Sequence, residues 1–172
     1  MSDVPPRSDT APPDPVRIET TRKFLVVVDG TPECRVALRY AARRALKTKG
    51  MVALLYVIEP SDMPQFLGMH HIVREEAREE AEAVLHDLAE DVQRIAGLIP
   101  ELIIREGIRR EELLHLIEED PTIRILVLGA GTGSEGPGPL VTALAGQMSG
   151  TFRVPITVVP GKLTTAEVDE LA

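Results

Sequence analysis

The chain has no tryptophan, two tyrosines and three phenylalanines among 172 residues. Its core must therefore be aliphatic, built from Val, Ile, Leu and Ala. A single cysteine, Cys34, excludes an internal disulfide and a cysteine-based metal site. Cation is scarce as well: 19 Lys and Arg against 27 Asp and Glu leave a net charge of −8. Such a chain lacks the clustered cations that neutralise nucleic-acid phosphates, so no nucleic-acid partner is expected. No stretch approaches the roughly 18 continuous apolar residues of a membrane span. The first 23 residues contain no apolar signal core. A cytoplasmic protein with no membrane partner is the expectation.

What is present is alternation. FLVVV (Phe24–Val28) and MVALLYVI (Met51–Ile58) are apolar runs of the kind buried on both faces of a parallel sheet. ELIIR (Glu101–Arg105), Ile123–Leu128 and Ile156–Val159 complete five strands. Helical spacing of apolar residues lies between them. Thr31 and Pro32 suit the N-cap and first position of helix one, which buries Leu38, Ala41, Ala42, Ala45 and Leu46 and leaves Arg35, Arg39 and Arg43 on its wetter side. A long second helix, about 72–96, carries the stripe Ala77, Ala81, Val84, Leu85, Leu88, Val92 and Ile95, with a solvated Glu- and Arg-rich face. A short third helix, about 110–119, buries Leu113, Leu116 and Ile117, and Asp120-Pro121 ends it. A fourth, about 140–149, buries Leu140, Val141, Leu144, Ala145 and Met148. The order βαβαβαβαβ implies an α/β fold: a parallel sheet with helices on both faces and right-handed crossovers. Residues 1–20 are rich in Pro, Asp, Ser and Thr and are expected to be a disordered tail. The folded domain is placed at 21–161. Residues 162–172 form a short acidic tail with one helical turn at most.

The stretch most suggestive of chemistry is the glycine-rich loop Gly129–Pro139, after the fourth strand. Open α/β sheets place ligands at such strand ends. The loop holds a literal G-x-G-x-x-G at Gly131, Gly133 and Gly136. A dinucleotide site needs that pattern after the first strand, with an acidic residue about 20 positions on; neither condition is met. A P-loop fails because Pro139, not Lys, follows Gly138. Glu135 puts a negative charge in the loop, Pro137 and Pro139 remove two N–H donors, and no Lys or Arg lies between Ile125 and Phe152. A tight connection and an anion-binding loop both remain open readings. Asp29 ends strand one at the same sheet edge, where it either orients a ligand or caps helix one. Cys34 reads as a quiet, partly buried thiol. His70 and His71 are adjacent loop residues, and His86 and His115 fall beside the apolar stripes of their helices as surface or boundary residues. No catalytic constellation and no metal cluster stand out.

Four features together resemble the universal stress protein family: FLVVVDGT, LLYVIEP, Ile104-Arg105-Glu106-Gly107 before a short helix, and LVLGAGTG leading to VPITVVPG. The resemblance covers residue 22 to about 160. It implies a three-layer α/β/α sandwich whose five-stranded parallel sheet has the order 3-2-1-4-5, an open sheet of adenine-nucleotide-binding type. It also implies a homodimer joined through the Ile156–Val159 edge strand. Family members that bind ATP carry Gly, two residues, Gly, nine residues, Gly and then Ser or Thr. Those positions fall here on Gly129, Thr132, Thr142 and Ala143, so only the first is kept; a shifted loop recruits Gly131 or Gly133. The nucleotide-touching aspartate matches Asp29, and Val57 and Leu128 match adenine-lining positions. The candidate pocket is therefore Asp29, Val57, Leu128, Gly129, Gly131, Thr132, Gly133 and Thr142. The expectation is a non-enzymatic stress-response protein that acts through contacts with another protein and has a degraded nucleotide loop. The alternative is a regulatory protein that binds ATP or AMP with Mg²⁺.

Overall fold

The computed structural model describes residues 21–60, 70–147, 150 and 152–172. The expected N-terminal tail, the loop residues Phe66 and Met69, and Met148 lie outside the described residues.

Apolar runs make the centre of the sheet. β1 (Lys23–Val28) and β2 (Met51–Ile58) pair in parallel, from Lys23 opposite Met51 to Val28 opposite Tyr56. Side chains alternate across a strand, so Phe24, Val26 and Val28 enter one apolar cluster while Leu25 and Val27 enter the other. β3 (Glu101–Glu106), β4 (Ile123–Ala130) and β5 (Ile156–Pro160) complete a parallel sheet of order β3-β2-β1-β4-β5. The first cluster gathers α1 (Pro32–Thr48) and α2 (His70–Ala96) on one face. The second gathers α3 (Arg109–Glu119) and α4 (Pro139–Val141) on the other. The α/β/α sandwich and its strand order are as expected.

Local chemistry explains how α1 sits. Ala37, Ala41, Ala42 and Ala45 are fully buried, so the helix packs closely on the sheet. Leu46, expected in that core, is instead 45% exposed; the helix has turned it past the sheet. The seam between α1 and α2 holds a polar knot. Asp91 is buried and pairs with Arg35 and Arg94, while Arg35 also reaches Asp87. A carboxylate so placed requires partners, because burying it alone is costly. On the other face, α4 continues as wider π-helical turns over Thr142–Gln147. Val141 and Leu144 are buried as expected, but Ala145 faces solvent. The wider turn changes the angular step per residue, so spacing by threes and fours misplaces that side chain.

The largest departure is at the C-terminus. Residues 162–172, expected as a tail, hold α5 (Thr165–Leu171), and the folded unit runs beyond residue 161. Thr164 accepts from the Glu167 N–H, and the Glu167 carboxylate accepts from the Thr164 N–H at 2.8 Å, a reciprocal capping box. Val168 and Ala172 are buried. Asp169 takes paired hydrogen bonds from Arg39 (2.8 and 2.6 Å) and from Arg43 (both 3.0 Å). Lys47 donates to the carbonyl of Ala172. The side of α1 expected to be wet is thus the dock for α5.

Candidate functional site at the sheet switch point

Strand order decides where a ligand site belongs. β1 connects leftward to β2 and β4 connects rightward to β5. Their carboxyl ends therefore part, and a crevice opens between them. Its walls are Val27, Asp29, Leu128, Gly129, the segment Pro137–Val141 and Arg109. The structure thus brings three candidate residues together at this place: Asp29, Leu128 and Gly129. Val57 is buried at 1% exposure and is not part of the wall. Gly131, Thr132 and Gly133 also lie away from it. Thr142 lines a neighbouring open groove of about 480 Å³ with Glu135, Gly136, Gly138, Pro139 and Ala143, none of them a cation.

The crevice itself is small, about 60 Å³. Clefts that take drug-sized ligands span roughly 300–1,000 Å³. Its loop spends its polar groups internally. The Gly131 N–H donates to the Pro137 carbonyl and the Gly136 N–H to the Gly133 carbonyl, both at 3.2 Å. The Thr142 hydroxyl, at the position matched to a phosphate-binding glycine, donates to the Gly138 carbonyl at 2.9 Å. Gly136 and Gly138 have φ of +87° and +104°, so the turn demands glycine for conformational reasons alone.

Gly129 has a different reason to be glycine. A Cβ there would stand 2.4 Å from the Glu33 carbonyl oxygen in the first turn of α1. The same helix turn leans on Gly161, where a Cβ would come within 2.2 Å of Glu33 Cγ. These two glycines admit a helix, and their presence is accounted for without a phosphate. Asp29 is likewise engaged with α1: its Oδ1 accepts from the Thr31 N–H at 3.0 Å and from the Thr31 hydroxyl at 2.7 Å. Thr31 occupies the N-cap position, but its hydroxyl makes no cap bond to the helix; Asp29 has captured it. Cys34, one turn along, donates to the Val27 carbonyl at 3.7 Å. Burial, with the nearby Asp29 charge, pushes its thiol up to about 11. A thiol so protonated is a poor nucleophile at neutral pH.

Arg109 is the site residue that local pattern reading missed. It begins α3, and its backbone N–H donates to Glu59 Oε1 at 3.1 Å. Its Nη2 lies 3.2 Å from Glu59 Oε2. Its Nε is buried with no hydrogen-bond partner among the described residues. The signal that finds it is topological. Gly107-Ile108-Arg109 follows β3, so the turn stands at the same carboxyl edge of the sheet as Asp29.

Solved structures share this architecture. Universal stress protein UspA from Lactobacillus plantarum is 17% identical, with 80% of this chain and 97% of that one covered and a TM-score of 0.65. A universal stress family protein from Burkholderia pseudomallei is 21% identical over 83% and 98% of the two chains, with a TM-score of 0.61. One from Arabidopsis thaliana, solved with AMP bound, is 14% identical over 81% and 91%, with a TM-score of 0.56. No curated protein sequence matches significantly. The sequence profile of the universal stress protein family matches residues 20–160; with the sheet order and the strand–glycine loop–helix–strand unit already described, this places the chain in the universal stress protein family.

Proposed function

We propose that this chain is a non-enzymatic, cytoplasmic stress-response protein that acts as a homodimer through protein contacts, with its nucleotide crevice closed. The observation that carries this reading is the crevice of about 60 Å³ between Asp29 and Gly129. The residues present do not fit ATP or AMP with Mg²⁺. The Thr142 hydroxyl is committed to Gly138, Asp29 is committed to Thr31, and Arg109, the one cation in the wall among the described residues, is tied to Glu59. The AMP-bound Arabidopsis relative makes a regulatory nucleotide-binding protein the second reading, favoured by Asp29 and Gly129 lining one crevice. Calorimetric and thermal-shift titrations with AMP and with ATP–Mg²⁺ separate the two. No heat and no shift at millimolar nucleotide is the expected result, and micromolar binding by the wild-type protein overturns the closed-crevice reading.

The dimer rests on β5, the outermost strand, whose Val158 is 37% exposed and whose Ile156 and Thr157 are half-buried. An apolar edge strand is a surface that proteins pair or cover. Sedimentation should show a dimer at tens of micromolar, and Val158→Lys should shift it to monomer. A monomeric wild type would remove the edge-strand interface.

A further inference from the structure

We infer that Arg109, gripped by Glu59, is the residue that keeps a nucleoside out of the switch-point crevice. The inference rests on the closed-crevice reading and names what closes it. Open sheets of this kind form their ligand crevice between the carboxyl ends of the two strands that diverge, here β1 and β4. From the β4 side the crevice is bounded by Pro137–Val141, the end of the glycine loop and the short helix α4. From the opposite side the one long side chain in the wall, among the described residues, is Arg109. Glu59, just beyond the end of β2, holds both the backbone N–H and the guanidinium of Arg109. The side chain is consequently only 28% exposed, folded along the crevice rather than extended into water.

The Nε of Arg109 is buried with no hydrogen-bond partner among the described residues. A buried N–H without an acceptor costs free energy, which offsets part of what the pairing with Glu59 contributes. Removing the side chain removes that cost together with the Glu59 pair, and its volume should join the crevice. The glycine loop would still lack its hydroxyl and its cations. A ligand entering the opened crevice would accordingly be held by its nucleoside part, with little contribution from phosphates.

The test is calorimetry and thermal shift with adenosine, AMP and ATP on wild type, Arg109→Ala, Arg109→Met and Glu59→Gln. Arg109→Ala should bind adenosine and AMP at least about tenfold more tightly than wild type, a difference near 1.4 kcal/mol. Arg109→Met keeps most of the bulk and should stay closed. Glu59→Gln loosens the grip and should give a smaller gain, and it reports on the same point if Arg109→Ala fails to fold. A folded Arg109→Ala with no gain, or Arg109→Met gaining as much as Ala, overturns the assignment while leaving the closed-crevice reading in place. Micromolar binding by wild type overturns that reading and the assignment with it.

Discussion

The glycine loop, 129–139, and the C-terminal helix α5 make an instructive pair. The loop carries most of the ligand-like signal in the chain: Gly129, with Leu128 beside it, at positions matched to the family's nucleotide pocket, five glycines and a place at the sheet switch point. Its tip, Thr132–Pro137, is exposed and bonded chiefly to itself. α5 carries no ligand-binding motif, yet it is capped at its start, buried through Val168 and held by two arginines on one aspartate. Signal content and structural investment run in opposite directions. Glycines report where the backbone must be free or close to another backbone, and that requirement arises from a helix as readily as from a phosphate. An acidic segment reports nothing until the arginines that face it are brought alongside.

The comparison breaks most sharply at Gly129. Gly129→Ala forces a methyl against the Glu33 backbone and should cost about 3 kcal/mol, as overpacking of a tight core does. For a chain of this size that lowers the melting temperature by about 10 °C. Gly133→Ala, where a Cβ meets nothing within 4 Å, should stay within about 0.5 kcal/mol of wild type. Equal effects in the two variants would refute the helix-packing account of Gly129. Next in size, Val168→Asp should cost about 2 kcal/mol, the worth of one buried valine, seen as a lower midpoint in urea. An unchanged midpoint would mean that α5 is an ornament on α1.

The smallest effect concerns pH. Hydrogen bonds from Arg43 and Arg39 hold the Asp169 carboxyl well below the usual carboxylate range. A group whose folded pKa is depressed stabilises the fold above its unfolded value, near 3.9 for Asp, and loses that stabilisation as pH falls through the folded value. Asp169→Asn should therefore lower the melting temperature slightly at pH 7 and flatten its decline below about pH 4. A wild-type and variant pair with parallel acid profiles would show that the Arg39–Asp169–Arg43 cluster contributes nothing measurable, as exposed ion pairs sometimes do.

Much of the fold was legible residue by residue. FLVVV and MVALLYVI could be central strands because no polar residue interrupts them, and Ala41, Ala42 and Ala45 announced a helix lying close on a sheet. Leu46 and Ala145 were misplaced because helical spacing names a stripe, while the edge of that stripe depends on how the helix is turned and wound. Of the candidate site, Asp29 and Gly129 were found because each ends or follows a strand at the same edge, and Leu128 through the family resemblance. Arg109 and Glu33 were not, since their roles depend on helices α3 and α1 arriving from elsewhere in the chain.

The sequence by itself determined the alternation of strand and helix, the parallel sheet and the family, because these follow from local periodicity and from the order of short motifs. Only the tertiary structure decided that Arg109 stands in the crevice wall, held by Glu59, that Glu33 is what Gly129 and Gly161 make room for, and that α5 belongs to the folded unit. The reason is physical. Periodicity acts over one or two turns of chain, whereas these contacts join residues 50 to 130 positions apart and exist only once the sheet has set its helices side by side.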